Sequence, residues 1–142
     1  MGKKQEDFVA EFCDAWGDGS LERKPDIEKI LSMMSEDAEW QQWVPGGPTI
    51  RGRAALREEL GRQTRIATNN KCNIVNVLSN DHMVWQERSD TAVIFGKPCP
   101  HQMVAIYELD GDGLIHRWRE YLDMADLTRK MGVDEKVAGY GG

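Results

Sequence analysis

Apolar residues recur at helical spacing in three stretches of the first half of the chain: residues 6–16, 25–34 and 51–67. In the first stretch, Phe8, Phe12 and Trp16 form one apolar side, and a Gly-Asp-Gly-Ser sequence follows, which is typical of a helix end. A proline opens the second stretch, at the position that suits the first turn of a helix. This pattern predicts three helices.

In the second half the pattern becomes an alternation of apolar and polar residues, which is typical of strands. It predicts strands at residues 72–78, 83–95, 102–109 and 114–123, besides an earlier short strand at residues 38–44. The prolines in residues 96–100 are expected to prevent strand pairing there. A short helix at residues 124–131 is expected to end at Gly132.

This order of elements indicates an α+β fold, because helices come first and a run of strands follows. We expect a cone-shaped barrel in which a curved mixed or antiparallel sheet wraps over the N-terminal helices. Such a cone has an apolar interior that can hold a small molecule against a few polar groups. The length of 142 residues predicts a single domain over residues 1–142, with a flexible glycine-rich tail at residues 134–142.

Two of the predicted strands carry candidate chemistry. Because strand side chains alternate between faces, Gln86, Arg88 and Asp90 share one side, and Trp118 and Glu120 share one side. If these two faces meet, one guanidinium lies between two carboxylates, an arrangement suited to acid–base chemistry. The alternative is that Arg88 and Asp90 form an ordinary ion pair on a solvated surface.

The predicted strand at residues 38–44 has two faces of different character. Trp40, Gln42 and Val44 fall on one face, and Gln41 and Trp43 on the other. Gln42 is either a solvated amide or a polar group that faces the cavity beside Trp40. Further candidates for the cavity wall, each of which can instead be core, are Trp16, Met34, Trp85, Phe95, Met103 and Trp118.

Charge and composition restrict the classes of partner and the cellular location that we expect. The net charge is −6, and the basic residues are dispersed, which argues against nucleic acid as a partner. The N-terminus lacks the apolar segment of a signal peptide, and no apolar run is long enough to cross a membrane. Three widely spaced cysteines fit reduced thiols and a cytoplasmic location. The three histidines show no metal-ligand spacing, so we expect no metal.

The order of elements, the Asp37-Ala38-Glu39-Trp40 stretch and the closing Trp-Arg-Glu-Tyr-Leu-Asp sequence resemble the nuclear transport factor 2-like (SnoaL-like) superfamily. Within it, Glu87-Arg88-Ser89-Asp90 together with Trp118-Arg119-Glu120-Tyr121 resembles the limonene-1,2-epoxide hydrolase group. The resemblance covers about residues 6–127. It implies a homodimer that associates through the open face of its sheet.

The resemblance also implies a reaction in which water opens an apolar epoxide without metal, cofactor or covalent intermediate. Arg88 would bridge the two acids, Asp90 would donate a proton to the epoxide oxygen, and Glu120 would act as base on the water. Trp40 and Gln42 stand where the family holds that water with Tyr and Asn. Trp85, Met103 and Trp118 would contact a terpene- or polyketide-sized substrate.

Two other functions fit the same resemblance. SnoaL-like cyclases and ketosteroid isomerase-like enzymes share this fold and move protons with one or two acids. The indole at Trp40 favours this reaction, because such chemistry needs no held water. A non-catalytic small-molecule-binding or dimerisation domain is the third possibility, since a fold alone does not determine function.

Overall fold

The computed structural model describes residues 2–132, and the segment at residues 134–142 that is predicted to be a flexible tail lies outside them. Its elements, in chain order, are α1 (Lys3–Asp14), α2 (Ile27–Ser32), β1 (Met34–Val44), β2 (Thr49–Arg51), α3 (Arg53–Ile66), β3 (Ala67–Lys71), β4 (Ile74–Ser79), β5 (Met83–Ile94), β6 (Lys97–Pro98), β7 (His101–Leu109), β8 (Ile115–Tyr121) and α4 (Met124–Met131).

One mixed sheet of eight strands dominates the fold. Its order is β2-β1-β8-β7-β5-β3, and β4 and β6 also pair with β5. The first strand runs parallel to the last, whereas every other pair is antiparallel. The sheet curls into a half-barrel with the helices packed against it, so the predicted α+β class is confirmed.

The predicted helices are present with shifted ends. The second is shorter than predicted, because Met34 already belongs to β1, where it pairs with Ile115 of β8. Asp26 caps α2 by accepting a hydrogen bond from the backbone N–H of Lys29. The terminal helix has the predicted bounds, and Gly132 ends it in the left-handed conformation.

Three short strands were missed, and each pairs with a long one. Residues 67–71 and 97–98 both pair with β5, and residues 49–51 pair with β1. The expectation that the prolines of residues 96–100 exclude pairing is wrong for Pro98, which lies opposite Val93. Proline is tolerated at such a place because a two-residue strand at a sheet edge needs few ladder hydrogen bonds.

A β-bulge in β1 turns Trp43 to a different side of the strand from the one predicted. The register with β8 shifts between Gln41 and Val44, so one extra residue is accommodated there. As a result Gln42 and Trp43 are both buried, although strict alternation places them on opposite faces. The bulge brings Trp43 into the lining of the cavity.

The main core lies between the helices and the inner face of the sheet. Phe12 of α1, Ile30 of α2 and Leu56 of α3 pack there with Val84 of β5 and Tyr107 of β7. A smaller cluster lies below α4, where Leu127 and Met131 contact the ends of β3 and β5. The cavity opens between these two clusters.

Among the helices formed within residues 2–132, none combines the length and the apolar character needed to cross a bilayer.

Gly47 provides a test of the turn that shapes the bulge. A Cβ at this position would lie 2.6 Å from the backbone nitrogen of Trp43 and closer still to its oxygen. We expect Gly47→Ala to lower the free energy of unfolding by about 1–3 kcal/mol, because backbone must move to relieve the clash. Thermal and denaturant unfolding measure this change.

The matched control is Gly111→Ala, since that Cβ would meet open space in another turn. It should change the free energy of unfolding by less than about 0.5 kcal/mol. Equal losses in the two variants would contradict the close packing of Gly47 on Trp43.

Candidate active site

Strand alternation places the polar residues of β5 on the inner face of the sheet. Gln86, Arg88 and Asp90 are buried, whereas the alternating residues Trp85 and Glu87 face outward. Trp118 and Glu120 of β8 are likewise buried on the inner face. The structure therefore brings together the two predicted faces, and it excludes the solvated ion pair.

Strand β7 lies between β5 and β8 and permits contact between their inner-face side chains. Ala105 of β7 lies opposite both Gln86 and Glu120 in the ladder. Its methyl group leaves room above β7, so the long side chain of Arg88 reaches from β5 to β8. A larger residue at this position would fill the space that the guanidinium crosses.

Arg88 bridges the two carboxylates. Its Nη2 atom donates to Asp90 Oδ2 at 2.9 Å and to Glu120 Oε2 at 2.7 Å. Its Nε atom lies 3.2 Å from Asp90 Oδ2, so the Asp90 contact is bidentate. The Arg88 side chain is only 3% exposed, which makes this a buried ion network.

The remaining donors of Arg88 contact residues on the floor of the site. Nη1 donates to the hydroxyl of Tyr107 and lies 3.5 Å from Gln86 Oε1, and Nη2 lies 2.9 Å from Met103 Sδ. Cys13 of α1 lies 3.9 Å from Nη1. The guanidinium thus has a partner on every nitrogen, as a buried charge requires.

Sequence reasoning missed Tyr107 and Cys13 as neighbours of this network. A signal existed for Tyr107, because it lies two and four residues beyond Ala105 and Met103 on the same face of a strand. No signal existed for Cys13, which reaches the site from a helix far away in sequence.

The two carboxylates have different surroundings. Both oxygens of Asp90 receive donors, since the backbone N–H of Asn73 adds a hydrogen bond of 3.2 Å to Oδ1. Glu120 receives Arg88 on one oxygen. Burial raises the pKa of Glu120, the Arg88 charge opposes this shift, and the charge of Asp90 adds to it. The net effect raises the pKa of Glu120 above its ordinary value.

Two stacked indoles form the wall beside Glu120. Because β1 and β8 are parallel with Trp40 opposite Trp118, the two rings stack with centroids 4.4 Å apart and an interplanar angle of 3°. Both are buried, and among the described residues neither Nε1–H has a hydrogen-bond partner. The Trp40 N–H faces Glu120 and favours its charged form, but without forming a complete hydrogen bond.

Gln42 is held by Glu59, a carboxylate outside the Arg88 network. Its Nε2 atom donates to Glu59 Oε2 of α3 at 2.6 Å. That bond uses the donor end of the amide, so the acceptor that Gln42 can offer the cavity is its Oε1 atom. Glu59 is itself fixed by Arg62 and Gln63.

The cavity has a volume of about 120 Å³. Arg88, Asp90 and Glu120 line it, together with five of the predicted wall and water-binding residues: Trp16, Trp40, Gln42, Met103 and Trp118. Trp16 packs edge-on against both stacked indoles.

Three predicted wall residues lie elsewhere. The prediction that Trp85 contacts a substrate in this cavity is wrong. Its side chain is 47% exposed on the outer face, because side chains alternate along β5 and those of Gln86 and Arg88 take the inner face. Phe95 follows the end of β5 with a positive φ of 52° and is partly exposed outside the cavity. Met34 is buried in the main core.

Within residues 2–132, no group of three or more histidine, cysteine, aspartate or glutamate side chains is arranged to hold a metal ion.

Removing the bridging charge should destabilise the protein. In Arg88→Met, the two buried carboxylates lose their cation, so we expect the free energy of unfolding at neutral pH to fall by about 3–5 kcal/mol. The deficit should shrink as the pH is lowered, because protonation removes the uncompensated charges. Denaturant unfolding of wild type and variant across pH measures both effects.

Arg117→Met is the matched control, since Arg117 also lies between two carboxylates, Glu39 and Glu108, at 3.6 Å from each. Its side chain is 52% exposed, so its loss should cost less than about 1 kcal/mol. Similar losses for the two variants would show that burial does not set the strength of the Arg88 network.

Solved structures with the same fold cover nearly the whole chain. An LEH-like epoxide hydrolase from M. tuberculosis has a TM-score of 0.72 and 22% identity, with 96% of each chain covered. The epoxide hydrolase/cyclase-like enzyme SalBIII, described in pyran ring formation in the polyether salinomycin, has a TM-score of 0.72 and 20% identity, with 89% of this chain and 97% of that chain covered.

A hypothetical protein with a ketosteroid isomerase-like fold from Catenulispora acidiphila, solved with trimethylamine, has a TM-score of 0.73 and 17% identity, covering 91% of this chain and 95% of that one. At these identities the likeness shows the fold. No curated protein gives a significant match to the chain. The sequence model of the SnoaL-like domain matches residues 9–118, so the protein belongs to the SnoaL-like domain family of the nuclear transport factor 2-like fold, as the sequence resemblance predicts.

Proposed function

We propose that the protein is an enzyme that adds water to a small apolar epoxide by metal-free acid–base catalysis. The observation that carries this proposal is the contact of one Arg88 nitrogen with Asp90 and Glu120 in a cavity lined by tryptophans. Epoxide opening needs a base for the attacking water and an acid for the departing oxygen, and a bridged pair of carboxylates supplies both.

Trp40, Gln42 and Glu120 hold the water in this proposal. The Trp40 N–H lies beside Glu120 and has no other partner among the described residues, so it can donate to a water bound next to Glu120. Such a water accepts from Trp40 and donates to Glu120 and to Gln42 Oε1, which leaves one lone pair for attack. In this proposal a donor-only indole takes the place of the family's phenol, and Glu120 alone takes the proton of the water.

The two carboxyls share one proton in the active form. The roles implied by the family place that proton on Asp90. Arg88 contacts both groups through the same Nη2 atom, so its charge remains paired with Glu120 while Asp90 carries the proton. With the proton on Asp90, Glu120 is the base, and its raised pKa makes it a stronger one.

The size of the cavity restricts the substrate. An apolar cavity of roughly 150 Å³ accommodates benzene, and this cavity measures about 120 Å³. It fits one small ring or a short chain around the epoxide. A terpene- or polyketide-sized substrate would have to extend past the cavity towards the exposed Lys71.

The direct test uses styrene oxide and cyclohexene oxide in oxygen-18 water with wild type, Asp90→Asn and Glu120→Gln. We expect labelled diol from wild type and a fall in kcat/KM of about 10²–10⁴-fold in each variant, because each loses one partner of the relay. Glu108→Gln changes a carboxylate that pairs with arginines on the outer side, and it should retain activity.

The pH profile gives a second readout of the same relay. Because the active pair holds one proton, kcat/KM should fall as the pH rises and that proton is lost, in a range above the usual glutamate pKa because burial raises the pKa of Glu120. Absence of diol from the wild type, or full activity in both variants, would contradict epoxide hydrolysis.

Proton transfer on a carbonyl compound is the second candidate. The unpartnered N–H groups of Trp40 and Trp118 favour it, since two donors beside an acid suit the oxygen of a ketone as it becomes an enol. Deuterium exchange into a cyclic ketone without diol formation would select this reaction. Binding of such ligands without turnover would select a non-catalytic binding domain.

We also propose that the protein is a homodimer that associates through the outer face of the sheet. Trp85, Leu78, Val104 and Tyr121 are partly or largely exposed on that face. Their strands are adjacent, with Leu78 opposite Trp85 and Val104 opposite Tyr121. An apolar surface that continues across four strands fits a second copy of the same sheet.

A charge in this surface should separate the dimer. We expect Val104→Glu to give a monomer in sedimentation analysis, because the carboxylate would be buried against the partner without a cation. Leu21→Glu is the control, since Leu21 is 57% exposed in the loop between α1 and α2. A wild-type protein that stays monomeric at about 100-fold the concentration used to measure activity would contradict this interface. A Val104→Glu variant that still forms a dimer would contradict it as well.

A further inference from the structure

A mostly buried carboxylate lies behind one wall of the cavity and takes no part in the proposed proton relay. The side chain of Glu59, in α3, is only 11% exposed. Its Oε2 atom accepts from Nε2 of Gln42 at 2.6 Å and from Nε2 of Gln63 at 3.0 Å. Gln42 belongs to β1 and Gln63 to the next turn of α3, and both line the cavity. One carboxylate oxygen therefore holds two amides of the cavity wall.

The surroundings of Glu59 keep it ionised. Arg62 donates to Oε1 through Nε and to Oε2 through Nη2, at 2.8 Å in each case. Burial acts against the charge of Glu59, but the hydrogen bonds from Arg62, Gln63 and Gln42 outweigh it, so the pKa of the carboxyl is lowered. An ionised carboxylate accepts hydrogen bonds and donates none. Each neighbouring amide must therefore present its NH2 end to Glu59.

Both amides are turned the same way as a result, with the carbonyl oxygen left over. Within residues 2–132, no group donates to the Oε1 atom of Gln42 or of Gln63. Gln42 is only 6% exposed, but its Oε1 atom is not sealed from open space, unlike the N–H groups of the two stacked indoles. Because both amide nitrogens contact the same oxygen of Glu59, the two amides are neighbours. The wall thus offers two adjacent acceptors to the cavity.

These acceptors select a neutral hydrogen-bond donor. Arg62 balances the charge of Glu59, so what the wall presents to the cavity is a pair of uncharged amide oxygens. An O–H group can donate to an amide oxygen, whereas an ether or ketone oxygen cannot. An acceptor that stays unpaired when a ligand displaces water is costly. In the proposed reaction a water pairs with Gln42, and the acceptor of Gln63 remains for the ligand.

We propose that Gln42 and Gln63, oriented by Glu59, form a subsite that binds the hydroxyl group of a small alcohol. Glu59 is a positioning residue, because it acts on the ligand only through the two amides. The consequence for catalysis rests on the proposed function: the substrate is then an epoxide that also carries a hydroxyl group, with this group on Gln63 and the attacking water on Gln42. Binding of an alcohol needs no reaction.

The experiment compares two ligands of nearly equal size. Cyclohexanol and cyclohexanone each have one ring that suits the cavity of about 120 Å³, but only the alcohol has a donor. Wild type labelled with nitrogen-15 is titrated with each ligand by NMR, and the side-chain amide resonances of Gln42 and Gln63 report the site. We expect cyclohexanol to bind about 2–10-fold more tightly and to shift these resonances, because it forms a hydrogen bond that the ketone cannot form.

One pair of variants tests the acceptor. Gln63→Met removes the amide oxygen and keeps the length of the side chain, so the two ligands should bind about equally. Gln41→Met is the matched control, since this neighbouring amide of β1 lines a separate small recess beside Arg117 and Arg119. It should keep the wild-type preference for the alcohol.

A second pair of variants tests the positioning role. In Glu59→Gln, the new amide can donate as well as accept, so it no longer forces both neighbouring amides to turn their NH2 groups inward. The preference for the alcohol should therefore fall. Glu58→Gln changes an exposed carboxylate one residue earlier and should leave the preference unchanged. If Glu59 only stabilised the fold, its loss would weaken both ligands alike and leave their ratio as in wild type.

A wild type that binds cyclohexanone at least as tightly as cyclohexanol would overturn the proposal, and so would an unchanged preference in Gln63→Met. The wild-type comparison needs no variant, so a poorly folded variant does not remove the test. The titration does not depend on epoxide turnover. A preference for the alcohol in a protein that makes no diol would therefore contradict the proposed function and support the subsite, whereas diol formation without this preference would do the reverse.

Discussion

The burial of Arg88 between two carboxylates is the interaction on which the rest of the site depends. A guanidinium removed from water is costly unless its charge is balanced and its N–H groups are bonded. Here the carboxyl groups of Asp90 and Glu120 both accept from Nη2, and Tyr107 and Gln86 contact Nη1. Every nitrogen of the guanidinium has a partner, so this charge is tolerated beside the buried indoles of the cavity.

The register of the strands positions this network, more than any single residue does. Antiparallel pairing of β5, β7 and β8 puts the small Ala105 between Gln86 and Glu120, which opens a path for Arg88. Parallel pairing of β1 with β8 stacks Trp40 on Trp118 beside Glu120. Glu120 and the two indole donors thus come from the first and last strands of one sheet, whereas Asp90 comes from β5.

Charge and thiol chemistry share the same small space in this protein. Arg88 contacts the carboxyl groups on one side and the Cys13 sulfur on the other. Cys72 is tied to the acids through the backbone, because Asn73 follows it and donates to Asp90. A change in the charge of Cys13 therefore alters the electrostatic environment of the carboxyl groups.

The sequence by itself determined which residues of β5 and β8 share a face, because alternation is a local property of an extended chain. It also predicted the helices and the α+β class, and its motif residues indicated the family, which the match over residues 9–118 shows. Alternation likewise excluded Trp85 from the face of Arg88, although Trp85 was predicted to contact the substrate. Only the tertiary structure decided the parallel pairing of β1 with β8, the bulge that buries Trp43, and the approach of Cys13 and Tyr107 to Arg88. These features depend on contacts between residues far apart in sequence, and no local pattern encodes such contacts.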